Sequence, residues 1–192
     1  MVTLHKFYNK LMVILGVDPG TLFTGYAVIS GVNEKLKLLE SNVIKIPSSK
    51  KLPLRLKQIY DKLVEVIRKY KPDEFAIETA FYSKNVQSTL KLGHARGVSI
   101  LAAVNKEIPT TEYSPREVKK AVTGLGSSSK EQVRYMVMQC FKIKKMPKQL
   151  DISDAISVAL CHHYKLTNSS FTKSSAKWED YVKQNPGKVK MM

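Results

Sequence analysis

A short apolar run at residues 13–17 ends abruptly on Asp18, which is followed by proline and glycine. A run of this length between turn residues is typical of a buried strand. A buried strand that ends on a carboxylate places the charge at a rigid edge of a sheet. Residues 74–78 repeat the pattern, since the apolar stretch there ends on Glu78. The chain is therefore expected to fold around a sheet with acidic strand ends.

The remaining pattern predicts an α/β domain with the element order βββαβαβααα. Strands at residues 25–30 and 35–45 form a meander with the first strand, and residues 110–113 add another. Helices are predicted at residues 53–70, 86–105, 115–122 and 128–141, and from residue 151 onward. Ser128 and Glu131 have the spacing of a capping box that starts the fourth helix. We therefore expect a mixed central sheet of about five strands flanked by helices.

The length of 192 residues suits a single domain with a sizeable core. We divide the chain into an N-terminal extension at residues 1–11, the α/β domain at 12–166 and a basic tail at 167–192. No apolar run approaches the ~18 residues of a membrane span, and the N-terminus lacks a secretory-signal pattern. Cys140 and Cys161 are too few for a disulfide framework, so a reducing, cytoplasmic setting is predicted.

Lysine and arginine total 32 against 16 acidic residues, which gives a formal net charge of +16. An excess this large is typical of proteins that bind nucleic acid or an anionic membrane, although a lysine-rich solvated surface is the simpler explanation. The chain has no basic amphipathic helix with aromatic anchors of the kind that binds membranes. Composition therefore favours nucleic acid as the partner, with no membrane association.

Two more carboxylates, Asp151 and Asp154, lie one helical turn apart at the start of the last predicted helix. Together with Asp18 and Glu78 they would bring four carboxylates to one site. Mg²⁺ and Mn²⁺ prefer oxygen ligands, and two ions roughly 3.5–4 Å apart can activate water and stabilise the leaving oxygen in phosphodiester cleavage. Acids gathered inside a basic chain therefore suggest metal-dependent cutting of nucleic acid.

Each acid also has a simpler explanation when it is considered alone. Asp18 with the following proline and glycine can form a plain turn, and Glu78 can be a solvated strand end. Asp151 can cap its helix, with Asp154 as a favourable acid in the first turn. The joint occurrence of the four acids, rather than any one of them, favours the metal site.

A series of motifs runs through the chain in order, from about residue 11 to about residue 163. The motifs are Ile14-Leu-Gly-Val-Asp18-Pro-Gly20, Thr24-Gly25-Tyr26, Phe75-Ala-Ile-Glu78, Lys84-Asn85, Leu90-Lys-Leu-Gly93-His-Ala-Arg96-Gly97, Ala102-Ala-Val-Asn105 and Asp151-x-x-Asp154-Ala155. This series closely resembles the RuvC family of bacterial Holliday junction resolvases. The resemblance implies a ribonuclease H-like fold and a homodimer that nicks four-way DNA junctions symmetrically, with a pair of Mg²⁺ or Mn²⁺ ions at each active site. It also implies a bacterial cytoplasmic location and a branch-migration partner, the RuvA–RuvB complex.

Six positions match residues of the family's active site. They are the acids Asp18, Glu78, Asp151 and Asp154 and the lysines Lys119 and Lys130. The acids correspond to the catalytic, metal-binding carboxylates, and the lysines correspond to basic residues near the scissile strand. A lysine there can hold a phosphate or offset charge that develops in the transition state, although a solvated helix face is the general alternative.

A second set of positions corresponds to DNA contacts. They are Phe81, Tyr82, Lys84, Asn85 and Arg96, together with the two lysines. The family's aromatic residue at the position of Phe81 stacks on a base near the cut, and such stacking is worth ~1–3 kcal/mol per base. The alternative is that Phe81 belongs to the core. Its place just after Glu78 and beside Lys84 favours base stacking.

Gly93 and Gly97 are spaced to allow close backbone approach along the second helix, together with Ala95 and the alanines at 102–103. Packing of the helix on its own sheet explains this spacing as well as a dimer interface does. The resemblance favours the interface, and symmetrical cutting requires a two-fold dimer.

Several other functions are compatible with part of the pattern. A related ribonuclease H-like nuclease acting on RNA would also place acids at strand ends, but the motifs at residues 75–85 and 90–97 favour the DNA resolvase. An ATP-binding actin-like fold shares the Asp-x-Gly-Thr pattern of residues 18–21 but needs two such domains. A non-catalytic junction-binding protein is the non-enzyme alternative, which the four carboxylates argue against. The Cys-His-His run at 161–163 cannot surround one zinc ion from a single helix, so packing and a surface imidazole are predicted there.

Overall fold

The computed structural model describes residues 11–32, 35–79, 86–144 and 150–167. In chain order the elements are β1 (Met12–Asp18), β2 (Phe23–Val32), β3 (Lys35–Lys45), α1 (Leu52–Tyr70), β4 (Glu74–Glu78), α2 (Val86–Val104), β5 (Thr110–Tyr113), α3 (Pro115–Thr123), α4 (Lys130–Cys140) and α5 (Leu150–Thr167). The predicted order and the mixed α/β architecture are confirmed. Most of the N-terminal extension and of the basic tail lies outside the described ranges, so the division into three parts stays a prediction.

The five strands form one sheet in the order β3-β2-β1-β4-β5. β1 pairs antiparallel with β2, and β2 pairs antiparallel with β3, which confirms the predicted meander. β1 runs parallel to β4, and β4 runs parallel to β5. Because parallel strands end at the same edge of a sheet, Asp18 and Glu78 are brought to one edge as neighbours.

The sheet separates two layers of helices, each with its own hydrophobic core. α1 and α2 pack on one face, and α3, α4 and α5 pack on the other. β2 illustrates the division, since Tyr26 and Val28 belong to the first core whereas Ala27 and Ile29 belong to the second. Within the described part of the chain, no helix combines the length and apolar character needed to span a membrane.

Two glycines allow α5 to lie directly against the centre of the sheet. A Cβ atom at Gly16 would fall 2.5 Å from the carbonyl oxygen of Ala155 and 2.7 Å from the backbone nitrogen of Ala159. A Cβ atom at Gly25 would fall 2.1 Å from the carbonyl oxygen of Asp151. Neither position has room for a side chain, so only glycine permits this approach. α5 therefore starts beside the acidic end of β1.

The start of α4 differs by one residue from the predicted capping box. Ser129 is the N-cap, its hydroxyl accepts a hydrogen bond from the backbone of Gln132, and the Gln132 side chain accepts one from the backbone of Ser129. The prediction of Ser128 with Glu131 was wrong because the Ser128 hydroxyl lies 2.7 Å from that of Thr123, inside the preceding turn. The shift makes Lys130 the first residue of α4.

A carboxylate on β3 ties the edge of the sheet to α1. Tyr26 donates a hydrogen bond of 2.6 Å to one oxygen of Glu40. Tyr70 and Lys69 donate bonds of 2.5 and 2.7 Å to the other oxygen. The hydrogen bonds from Lys69, Tyr26 and Tyr70 lower the pKa of Glu40 to about 2. The cluster therefore links β3 to α1 most strongly while the carboxylate is ionised.

We expect Glu40→Gln to lower the free energy of unfolding at neutral pH by about 1–2 kcal/mol. This is less than the difference between the folded and unfolded pKa values would give, because the carboxylate is partly solvated. Since the folded-state pKa lies below the ordinary value of 4.5, the stabilisation is complete above that pH and is lost as the pH falls towards 2. Urea unfolding of both proteins from pH 7 down to pH 3 measures the effect.

The difference between wild type and Glu40→Gln should shrink as the pH falls below about 4.5, the ordinary glutamate pKa. Glu65→Gln is the control, because Glu65 forms an exposed ion pair with Lys62 on the surface of α1. Removal of an exposed pair changes stability by about 1 kcal/mol at most. A difference between wild type and Glu40→Gln that stays constant with pH would contradict the proposed role of the carboxylate.

Candidate active site

Three elements bring four carboxylates together at one edge of the sheet. Asp18 ends β1, Glu78 ends the neighbouring β4, and Asp151 and Asp154 lie in the first turns of α5. The pKa of Asp18 is affected by all three of the other acids, which places them within electrostatic reach of it. The structure therefore brings together the four acids that the sequence singled out.

The site carries more negative charge than its surroundings neutralise. Burial, followed by the charges of Glu78, Asp154 and Asp151, raises the pKa of Asp18 to about 8. Burial and the charge of Asp154 raise the pKa of Glu78 to about 7. Burial also raises the pKa of Asp154, although a nearby lysine opposes the shift. A bound cation would relieve this repulsion and keep the carboxylates ionised.

The donor set fits a hard divalent metal ion. All four candidate ligands are carboxylates, the oxygen donors that Mg²⁺ and Mn²⁺ prefer over nitrogen and sulfur. Within the ranges that the structure describes, no three His, Cys, Asp or Glu side chains are arranged closely enough to hold an ion by themselves. Water and substrate phosphate usually complete the ligand set of Mg²⁺ beside one or two protein carboxylates.

Two lysines lie next to the acids. Lys130 donates a hydrogen bond of 3.3 Å from Nζ to Oδ2 of Asp154, and its side chain is 57% exposed. The charge of Asp154 is the main reason that the pKa of Lys130 is raised. The charge of Lys119, on α3, partly opposes the rise in the pKa values of Glu78 and Asp154. Both lysines thus border the carboxylates and remain partly open to solvent.

The structure describes only some of the residues that were predicted to contact DNA. Phe81, Tyr82, Lys84 and Asn85 lie outside the described residues, so their contacts stay predictions. Arg96 lies on α2, where its guanidinium forms an ion pair with the carboxylate of Glu112 on β5. This pair fastens α2 to the edge strand.

The small residues of α2 divide between two faces of the helix. Ala95, Ala102 and Ala103 are buried against the protein's own core. A Cβ atom at Gly93 or Gly97 would meet nothing within 4 Å, so packing inside the protomer does not explain these glycines.

The same outer face carries large exposed apolar side chains. Leu90, Leu101 and Val104 are exposed to 59%, 49% and 52%. They recur at helical spacing with the two glycines, which places all five residues on one side of α2. We call these five residues the α2 stripe.

The Cys-His-His run of α5 differs in one respect from its prediction. His162 and His163 are both buried, so the expected surface imidazole was wrong. Nδ1 of His162 lies 2.8 Å from the hydroxyl of Tyr113 on β5, and Nε2 lies 3.4 Å from a carboxylate oxygen of Glu74 on β4. These partners are distant in the sequence, so no local signal could have identified them.

Comparison with known proteins identifies the family. The model of the family described as crossover junction endodeoxyribonuclease RuvC matches residues 14–162. This chain belongs to the RuvC family. The RuvC of Christiangramia forsetii is 43% identical over 178 residues, which cover 93% of this chain and 93% of that protein. The RuvC of Chloroherpeton thalassium is 46% identical over 181 residues, which cover 91% of this chain and 97% of that protein.

Solved structures agree with this assignment. RuvC of Thermus thermophilus in complex with a Holliday junction substrate superposes with a TM-score of 0.77 at 30% identity, covering 82% of this chain and 96% of that one. The yeast mitochondrial Holliday junction resolvase Ydc2, with a TM-score of 0.56 at 15% identity, shares the fold. The predicted family and the ribonuclease H-like fold are confirmed. RuvC proteins are metal-dependent endonucleases that hydrolyse phosphodiester bonds, and the chain belongs to this class of enzyme.

Proposed function

We propose that this protein acts as a homodimer that nicks four-way DNA junctions at symmetrical positions. The observation that carries the proposal is the gathering of Asp18, Glu78, Asp151 and Asp154 inside a chain of net charge +16. An anionic pocket within a cationic protein suits a metal ion inside and a polyanion outside. Membership of the RuvC family points to junction DNA as that polyanion.

We assign Mg²⁺ or Mn²⁺ to the pocket, as a pair of ions. Asp18 would supply a ligand from the end of the central strand β1, where the charges of the other three acids raise its pKa. Glu78 would hold one ion from β4, and Asp151 and Asp154 would complete the ligands from α5. When bound, the ions supply activation of the attacking water and stabilisation of the leaving oxygen.

The protein's own residues hold the phosphate and fix the acids. In the reaction, the attacking water loses a proton and its oxygen bonds to phosphorus, while the bond from phosphorus to one sugar oxygen breaks and that oxygen gains a proton. Lys130 and Lys119 border the carboxylates and would attract the scissile phosphate, offsetting the charge that accumulates on its oxygens. The carboxylates keep their positions because β1 and α5 are packed against each other through Gly16 and Gly25.

We propose that the α2 stripe forms the dimer interface. Exposed apolar side chains flanking two glycines suit close contact with an identical helix around a two-fold axis. Such an axis would relate two active sites and so account for paired nicks on strands of like polarity. A cytoplasmic location, docking of the RuvA–RuvB complex and the DNA contacts of Phe81, Tyr82, Lys84, Asn85 and Arg96 remain predictions.

The test of this function compares cleavage of a synthetic four-way junction with cleavage of linear duplex of the same sequence, in Mg²⁺, Mn²⁺ or EDTA. We expect paired nicks at symmetrical positions in the junction alone, and only with metal present. Cleavage of RNA or of any duplex would instead support a related nuclease of the same fold. Tight junction binding without cleavage in either metal would support a binding protein.

A further inference from the structure

Phe23, the first residue of β2, is an aromatic side chain that the fold leaves 50% exposed. Exposure of a phenylalanine is unfavourable by itself, because about 25 cal/mol is lost for each Å² of apolar surface left in water. Several other large apolar side chains are exposed among the described residues. Those of the α2 stripe would be covered in the proposed dimer. Phe23 lies on β2 and is not part of that stripe.

The direction of Phe23 follows from the alternation of side chains along a strand. Residues two apart point to the same face, so Phe23 shares the face of Gly25. That face meets the start of α5, since a Cβ atom at Gly25 would lie 2.1 Å from the carbonyl oxygen of Asp151. Leu150, immediately before Asp151, is also partly exposed. Phe23 therefore lies on the sheet face that meets α5, two residues along β2 from the glycine that contacts Asp151.

A cationic residue lies opposite Phe23 on the neighbouring strand. Lys45 pairs with Phe23 in the register of β2 and β3, and directly paired residues of an antiparallel sheet point to the same face. The side chain of Lys45 is exposed. An aromatic face beside an exposed lysine is the combination that proteins use for single-stranded nucleic acid, with the base stacked and the backbone held by charge.

The position of Phe23 in the sheet separates it from Phe81, the other residue predicted to stack on a base. β2 and β4 flank β1 on opposite sides, so Phe23 and the acid Glu78 lie on opposite sides of Asp18. Phe81 follows Glu78 in the chain. DNA that crosses the carboxylates would thus reach Phe23 on the side away from β4.

We propose that Phe23 and Lys45 form a nucleotide-binding subsite beside the acids, where the ring stacks on a base next to the scissile phosphate and the lysine holds the adjoining backbone. The subsite rests on the proposed function, because its ligand is the DNA that this site cuts. A base can offer its face to the ring only where stacking is interrupted, as at the centre of a four-way junction. Phe23 would therefore favour junctions over continuous duplex.

The test measures junction binding in EDTA, which prevents cleavage, and cleavage rates in Mg²⁺. We expect Phe23→Ala to weaken junction binding by about 5- to 150-fold, the range for loss of one stacked base, with a comparable loss in cleavage rate. Phe23→Leu should be similarly impaired because it keeps an apolar side chain without an aromatic face, whereas Phe23→Tyr should behave as wild type. Lys45→Gln should reduce the slope of log binding constant against log salt concentration by about one, the value for one phosphate contact.

Fluorescence of 2-aminopurine placed next to the cut site reports on stacking directly. Wild type should change the fluorescence of one such nucleotide on binding, and Phe23→Ala should abolish that change. Leu54→Ala is the matched control, since Leu54 is an exposed apolar residue on the helix layer at the other face of the sheet. It should bind and cleave as wild type does.

Wild-type behaviour of Phe23→Ala in binding, cleavage and fluorescence would overturn the subsite and leave the proposed function standing. Full activity of Phe23→Leu would overturn it as well, since the ring would then serve only to cover apolar surface. Failure of the wild-type protein to bind or cut junctions would overturn the proposed function, and the subsite with it.

Discussion

Asp18→Asn is expected to reduce junction cleavage on the order of 10³-fold or more while junction binding stays within a few-fold of wild type. Loss of a single hydrogen-bond donor to a transition state already costs about 10²–10³-fold, and this substitution removes a charged ligand from the centre of the site. Asparagine has nearly the same shape, so the packing of β1 against α5 is preserved. Binding depends on the cationic surface, which the substitution leaves intact.

The measurement is single-turnover cleavage in Mg²⁺ and Mn²⁺ beside junction binding in EDTA. Asp61→Asn is the control, because Asp61 forms an exposed ion pair with Lys57 on α1 and has no part in the site. The control should cleave at the wild-type rate. Equal losses of binding and cleavage in Asp18→Asn would count against its assignment as a metal ligand and indicate a general effect on structure.

Gly97→Gln is expected to dissociate the dimer and to uncouple the two nicks. The protomer has room for the new side chain, because a Cβ atom at Gly97 meets nothing within 4 Å. Helix propensity also favours glutamine over glycine. In a two-fold interface the added side chain is present twice, and overpacking costs about 1–3 kcal/mol at each site. The dimer dissociation constant should therefore rise by roughly 10²–10⁴-fold.

Sedimentation equilibrium measures the dissociation, and a plasmid with an extruded cruciform reports whether the nicks are coupled. Paired nicks linearise the plasmid, whereas a single nick leaves an open circle. We expect wild type to yield linear product and Gly97→Gln to yield open circles. Lys91→Gln, an exposed position of α2 outside the stripe, should leave the oligomeric state unchanged. A Gly97→Gln protein that remains dimeric would show that the interface lies elsewhere.

The order of elements and the identity of the acids could be predicted because their signals are local. Apolar runs that end on Asp18 and Glu78 indicate strand ends without reference to any other part of the chain. Asp151 and Asp154 share a helix face by spacing alone. The motif series was sufficient to identify the family, since each motif is continuous in the sequence.

The predictions were wrong where a residue's partner lies elsewhere in the chain, or where neighbouring residues could each fill the same role. Three consecutive serines precede α4, and the sequence does not tell which of them caps the helix. The turn decides, because Thr123 engages Ser128 and leaves Ser129 to act as the N-cap. A surface imidazole was expected in the Cys-His-His run of α5, but Tyr113 on β5 and Glu74 on β4 enclose His162.

By itself the sequence determined which residues share a face of each strand and helix, and which family the chain belongs to. Only the tertiary structure decided what each face meets. It packs the alanines of α2 inside and leaves Gly93 and Gly97 outside, and it brings Lys130 to Asp154 across 24 positions of the chain. Periodicity is a property of neighbouring residues, whereas contact between elements depends on how the whole sheet and its helices are arranged.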